Sequence, residues 1–178
     1  MSHVALRRSR TPRRQFKAFD LKQACFDPSK PPEAPLYFNQ ASPSAHVRGN
    51  TRAVPLALSM IRALELGGER VLNGSKAFSL ELSKTSQAAL MQRLGIPHPR
   101  TVAFNNIAAA LEQWGDRWPA LLKPEQGGSG ARMYLLRSAE ERTRLLREQP
   151  DLSLPDNLLL LREYLMSPPR AASSAWSS

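Results

Sequence analysis

A short glycine-rich loop between two apolar segments constrains this chain more than any other feature. The apolar run from Pro119 ends in Lys123 and Pro124, the loop Gly-Gly-Ser-Gly follows at 127–130, and a second apolar run covers 133–136. This order predicts strand, loop, strand. Because glycine has no Cβ, backbone N–H groups of the loop can approach an anion closely, and the lysine adds a positive charge beside them. We expect a polyphosphate ligand, whereas a plain hairpin turn is the alternative for the loop alone.

Composition indicates a chain with a packed core and no membrane segment. The chain has 178 residues, of which 42% are hydrophobic, and its apolar runs fall short of the ~20 residues that cross a bilayer. No apolar stretch of the kind found in secretory signals follows the basic N-terminus. Cys25 is the single cysteine, so neither an internal disulfide nor a cysteine-based zinc cluster is expected. We expect a cytoplasmic protein.

The net charge of +10 is concentrated near the N-terminus, where residues 7–14 carry an arginine-rich run. Such a run can bind nucleic acid or an anionic surface. No aromatic or folded recognition motif accompanies it, so we do not expect nucleic-acid binding. Together with four prolines between 28 and 35, the run indicates a disordered extension over 1–35. The Ser-, Ala- and Pro-rich stretch 167–178 indicates an unstructured tail.

Between these ends the hydrophobic pattern alternates between strand and helix periods, which predicts an α/β fold. Helices are expected at 54–66, 79–94, 107–114 and 138–148, and strands at 36–38, 70–72, 101–104, 118–123, 132–137 and 158–161. Lys84 falls on the apolar line of the second helix. Its ammonium group either extends to water along that helix, which is the favoured reading of the helix alone, or enters a cleft between elements.

Seven short motifs follow one another between residues 36 and 166. They occupy residues 39–45, 71–74, 81–87, 95–101, 122–124, 127–131 and 163–165. Their order resembles the ATP-grasp superfamily, and most closely its glutamate-ligase-like (RimK-type) branch. The resemblance implies a pre-ATP-grasp α/β layer at 36–100, followed at 101–166 by the first lobe of an ATP-grasp fold, with the second lobe missing.

The resemblance also implies which residues bind ATP and substrate. Lys84 and Lys123 would contact the phosphates, and the loop would close over them. The hinge would meet the adenine edge through the Arg162 carbonyl and the Leu165 amide. The full set of expected ATP-binding residues is Lys84, Lys123, Gly127, Gly128, Ser129, Gly130, Ala131, Arg162, Glu163 and Leu165. The expected acceptor-substrate residues are Asn39, Ser42, His46 and Arg48, although His46 fits an ordinary loop histidine equally.

The chemistry that the resemblance implies is ATP-dependent carboxylate–amine ligation through an acyl phosphate. The family uses Mg²⁺, whose ligands lie in the second half of the fold and are not matched in this sequence. We therefore expect a truncated ligase that is inactive alone, with no metal site of its own. The alternative is a non-catalytic nucleotide- or partner-binding module, completed by another chain or copy at an exposed sheet edge.

Overall fold

The computed structural model describes residues 16–45, 48–127 and 130–166, and the predictions for His46, Gly128 and Ser129 lie outside these residues. The described elements mix strands and helices along the chain, as the hydrophobic pattern predicts. In chain order they are β1 Tyr37–Phe38, α1 Ala53–Leu66, β2 Val71–Leu72, α2 Ser75–Leu82, α3 Lys84–Arg93, β3 Thr101–Phe104, α4 Ile107–Trp114, β4 Ala120–Pro124, β5 Tyr134–Leu136, α5 Ala139–Glu148 and β6 Leu159–Glu163. One-turn 3-10 helices lie at Pro43–Ala45 and Pro150–Ser153.

The first part of the chain is a small β-α-β unit. Strands β1 and β2 pair in parallel, and α1 connects them, as a parallel pair requires a crossover. The apolar side of α1 packs against α2. The buried cluster between them consists of Ala45, Val54, Ala57, Ile61, Phe78 and Leu82. This confirms the α/β pattern expected for the first part.

The second part is a four-stranded antiparallel sheet in the order β3-β6-β4-β5. The glycine-rich loop joins β4 to β5, which confirms the strand, loop, strand prediction. Helices α4 and α5 begin at side-chain caps, Asn106 and Ser138, which accept hydrogen bonds from the first backbone N–H groups. The buried cluster of this part consists of Phe104, Ala110, Trp114, Ala120, Leu122, Leu136, Leu152, Leu159 and Leu161.

Strand alternation divides the sheet residues between two faces. Leu159 and Leu161 belong to the buried cluster with α4, so Leu160 and Arg162 lie on the opposite face. In β4, Lys123 pairs with Leu160, and Leu121 pairs with Arg162, so these residues share that opposite face. We call it the charged face, because it carries Lys123 and Arg162.

The single helix expected over 79–94 was wrong, since the chain forms α2 and α3 with a break at Ser83. The break is local: Ser83 has an extended backbone (φ −114°, ψ 108°), and its side chain accepts a hydrogen bond from the Ser86 N–H. A serine that caps a new helix competes with continuation of the preceding one. Lys84 is therefore the first residue of α3, which places its side chain at a helix start.

Residues 16–35 contain turns without helix or strand. Leu21 packs against the buried cluster of the first part, and Lys17 forms an ion pair with Glu33. Disorder of 1–35 as a whole and the expected domain boundaries stay predictions, since 1–15 and 167–178 lie outside the described residues. Among the helices that the structure describes, none combines the length and apolarity that a bilayer crossing requires.

Candidate functional site

Lys123 lies near the end of β4 on the charged face, and its side chain is nearly buried at 8% exposure. Burial, together with the positive charges of Arg162 and Lys84, lowers the pKa of Lys123 to about 8, and the charge of Glu125 opposes this change. An ammonium group held at this position beside other cations is unfavourable without an anion. The site therefore favours a negatively charged ligand.

Lys84 lies across from Lys123, and its Nζ donates a hydrogen bond to the backbone carbonyl of Glu125. The side chain is half-buried, and burial lowers its pKa, while the charges of Glu125 and Asp156 oppose that change. The structure therefore places the Lys84 ammonium group in a cleft between elements. The favoured prediction, that it extends to water along the helix, was wrong. The contact with Glu125 decides between the two predictions, and the hydrophobic pattern of the helix alone does not contain it.

Glu125 holds the start of α3 against the end of β4. Its carboxylate is buried, at 4% residue exposure, and accepts hydrogen bonds from Ser83 Oγ at 2.6 Å and from the Thr85 N–H at 3.1 Å. Its own N–H donates to the Leu158 carbonyl at 3.1 Å, next to β6. This carboxylate thus joins the first and second parts of the chain and fixes where Lys84 starts.

Glu125 was missed when the sequence was interpreted, although it lies two residues after Lys123 and two before the loop. Asp156 was missed as well. Burial raises the pKa of Asp156, and the Glu125 charge raises it further, whereas hydrogen bonding from the Leu158 N–H lowers it. We call Lys84, Lys123, Glu125, Asp156 and Arg162 the charged cluster.

Arg162 is the third cation of this cluster. Its side chain lies on the charged face, two positions along β6 from the partner of Lys123. Its Nε is buried and has no hydrogen-bond partner among the described residues. The cluster therefore contains three cations against two carboxylates, one of which, Asp156, has a raised pKa.

The glycine-rich loop is described at its two ends. Gly127 and Gly130 have φ angles of 153° and 70°, a region that side chains disfavour. Ala131 is half-buried. Arg132 donates to the carbonyls of Leu154 and Asp151, which ties the far end of the loop to the segment before β6. The loop thus starts beside the charged cluster, and its contact with phosphates stays a prediction.

The hinge segment follows β6. The Glu163 N–H donates to the Arg100 carbonyl at 2.9 Å, and the Arg100 N–H donates to Glu163 Oε2 at 3.1 Å. Because backbone groups alternate in direction along a strand, the Arg162 carbonyl points the other way, toward Leu121 in β4. A contact of that carbonyl with adenine stays a prediction. Leu165 is exposed at 60%, and a contact of its amide with adenine stays a prediction.

The expected substrate residues form hydrogen bonds within and between the loops that follow β1 and β2. Asn39 Nδ2 donates to the Asn73 carbonyl and Asn73 Nδ2 to the Asn39 carbonyl, both at 3.1 Å. Ser42 Oγ lies 2.9 Å from Ser44 Oγ, which accepts from Arg48 at 2.6 Å. These bonds order the loops, and a role of Asn39, Ser42 and Arg48 in substrate binding stays a prediction.

The carboxylates of the charged cluster are the candidate metal ligands of this site. Within the described ranges no group of three or more His, Cys, Asp or Glu side chains is placed to hold a metal ion. The carboxylate of Glu125 is already engaged by Ser83 and Thr85, which leaves Asp156 as the other carboxylate of the charged cluster. These two carboxylates do not fit a magnesium site by themselves.

Comparisons with solved structures match this arrangement of sheet, loop and helices. The RimK domain ATP-grasp protein of Sphaerobacter thermophilus superposes with a TM-score of 0.57 at 16% identity, over 82% of this chain and 52% of that one. The fold is that of an ATP-grasp protein. The VanG D-Ala:D-Ser ligase of Enterococcus faecalis also superposes, with a TM-score of 0.50 at 20% identity, over 61% of this chain and 32% of that one.

A curated relative supports the ATP-grasp assignment at the sequence level. The tetrahydromethanopterin:alpha-L-glutamate ligase of Methanosarcina acetivorans is 31% identical over 94 residues, which is 53% of this chain and 29% of that protein. The chain thus spans less than a third of this relative. No family model matches the chain. The resemblance to ATP-grasp proteins is thus confirmed over part of the chain.

Proposed function

We propose that this ATP-grasp chain binds ATP and is the nucleotide-binding portion of an ATP-dependent carboxylate–amine ligase. The observation that carries the proposal is the pairing of Lys84 and Lys123 beside the glycine-rich loop, on the charged face of the four-stranded sheet. Carboxylate and amine substrates follow from the ligases that it resembles.

The residues of the site would act on the nucleotide by position and charge. Phosphoryl transfer depends mainly on positioning and on neutralising the phosphates. The ammonium groups of Lys84 and Lys123 would supply that charge from two sides, because one lies on α3 and the other on β4. Backbone N–H groups of the loop would bind the remaining phosphate oxygens and exclude water.

Magnesium accompanies ATP in the ligase family, but the carboxylates described above do not fit it, so no step is assigned to the metal here. We propose for this reason that the chain binds ATP without completing ligation alone. Phosphate release that requires a carboxylate substrate would contradict this part of the proposal. ATP binding without phosphate release fits both a ligase portion and the non-catalytic binding module.

The outer strands of the described four-stranded sheet are β3 and β5. An unpaired strand edge can pair with another chain. Association through such an edge stays a proposal, and sedimentation at several protein concentrations measures it directly.

The central prediction concerns Lys123→Met, which removes the charge and keeps a long apolar stem. We expect ATP affinity to fall by about tenfold or more, because a buried cation bound to phosphate contributes more than a neutral contact. Titration calorimetry with ATP measures the loss. The matched control is Lys76→Met, since Lys76 is an exposed lysine on α2, and this variant should bind as the unmodified chain does.

The pH dependence follows from the same residue. Lys123 has a pKa of about 8, so ATP affinity should fall as the pH rises through about 8 and Lys123 loses its proton. Lys123→Met should lack this step. No ATP binding by the unmodified chain would contradict the proposed function, whereas equal affinity of Lys123→Met would contradict the placement of the phosphates.

A further inference from the structure

Arg162 presents a side chain, rather than a backbone group, to the charged face. Leu121 is its partner in β4, and Lys123 is the partner of Leu160. Arg162 and Lys123 are therefore diagonal neighbours on one face, and such residues lie roughly 7–8 Å apart, with their Cβ atoms somewhat closer. Two long cationic side chains at this spacing can hold one anionic group between them.

The guanidinium of Arg162 has one donor atom that the described residues leave without a partner. Its Nε is buried without a hydrogen-bond partner among the described residues, and a buried donor left unpaired is costly. Glu125, the buried carboxylate nearby, is already engaged with Ser83 and Thr85. The charges of Arg162 and Lys84 both lower the pKa of Lys123. The three cations therefore repel one another, and a bound anion would reduce this repulsion.

We infer that the Arg162 side chain is a third cationic contact for the phosphates of the bound nucleotide, beside Lys84 and Lys123. This inference rests on the proposed function and adds a residue to it. A guanidinium fits phosphate oxygens with two parallel hydrogen bonds, which an ammonium does not provide. Arg162 would thus fix the orientation of the phosphate chain as well as add charge.

The test compares Arg162→Gln with the unmodified full-length chain, using ATP, inorganic tripolyphosphate and adenosine in separate titrations. We expect the variant to weaken binding of ATP and of tripolyphosphate by about tenfold each, the loss that one charge-assisted contact accounts for. Adenosine binding should be unchanged. Arg162→Lys, which restores the charge without the planar fork, should recover part of the affinity.

A second readout tests whether the charges of Arg162 and Lys123 are coupled at the site. Arg162 lowers the pKa of Lys123, so the pH midpoint of tripolyphosphate binding should move upward in Arg162→Gln. Arg147→Gln is the matched control, since Arg147 is an exposed arginine on α5, and it should change neither affinity nor midpoint. Thermal unfolding of each variant verifies that the fold is kept.

The outcomes distinguish this inference from the function on which it rests. If the unmodified chain binds neither ATP nor tripolyphosphate, the proposed function fails and the inference fails with it. If the unmodified chain binds both and Arg162→Gln binds tripolyphosphate equally well, the Arg162 contact alone is overturned. A loss for ATP without a loss for tripolyphosphate also overturns it, because the side chain would then contact another part of the nucleotide.

Discussion

Glu125→Ala should destabilise the chain by about 2–4 kcal/mol, because it removes an acceptor and a countercharge from a buried junction. Ser83 Oγ and the Thr85 N–H both donate to this carboxylate, and each would lose its partner. The charges of Lys84 and Lys123 would also lose a neighbouring carboxylate. Urea unfolding measures the change in the free energy of unfolding.

Amide hydrogen exchange shows which backbone N–H groups lose protection in Glu125→Ala. The amide of Thr85 should exchange faster in the variant, since its acceptor is gone. Glu112→Ala is the matched control, because Glu112 is an exposed carboxylate on α4, and it should change stability little. Glu125→Gln keeps an oxygen acceptor and should lose less stability than the alanine variant. Equal stability of Glu125→Ala and Glu112→Ala would show that Glu125 does not join the two parts.

Arg142→Met should stabilise the chain, by about 1–3 kcal/mol, because a buried and unpaired cation is replaced by an apolar side chain of similar length. Arg142 is fully buried, at 0% exposure. Its Nε, Nη1 and Nη2 atoms have no hydrogen-bond partner among the described residues, and burial lowers its pKa. Leu145 and Leu146, one turn later on α5, pack against the buried cluster of the second part.

The measurement is the midpoint of thermal or urea unfolding. Arg144→Met provides the control, since Arg144 is an exposed neighbour on α5, and its stability should match that of the unmodified chain. A loss of stability in Arg142→Met would contradict the prediction. Such a loss would indicate that the Arg142 guanidinium has a stabilising partner that the described residues do not include.

The local elements of this chain followed from its sequence. The loop at 127–131 with Lys123 before it predicted the β4–β5 pair, and the caps and stops of α4 and α5 agree with the expected bounds. Such features are encoded by neighbouring residues, because caps, glycine turns and hydrophobic period act within a few positions. The order of the motifs indicated the ATP-grasp resemblance, which the comparisons confirm.

The composition of the charged cluster was decided by the tertiary structure. The sequence placed Lys84 on a continuous helix along which it extends to water, whereas the contacts with Glu125 bring it into the cleft beside Lys123. The sequence also suggested the Arg162 backbone as a ligand, which stays a prediction, and only the strand register shows that its side chain lies on the charged face. These outcomes depend on pairings between residues about 40 positions apart in the chain. Local propensity and periodicity predict elements, but the register between distant strands and the partners of buried charges are set when the elements pack.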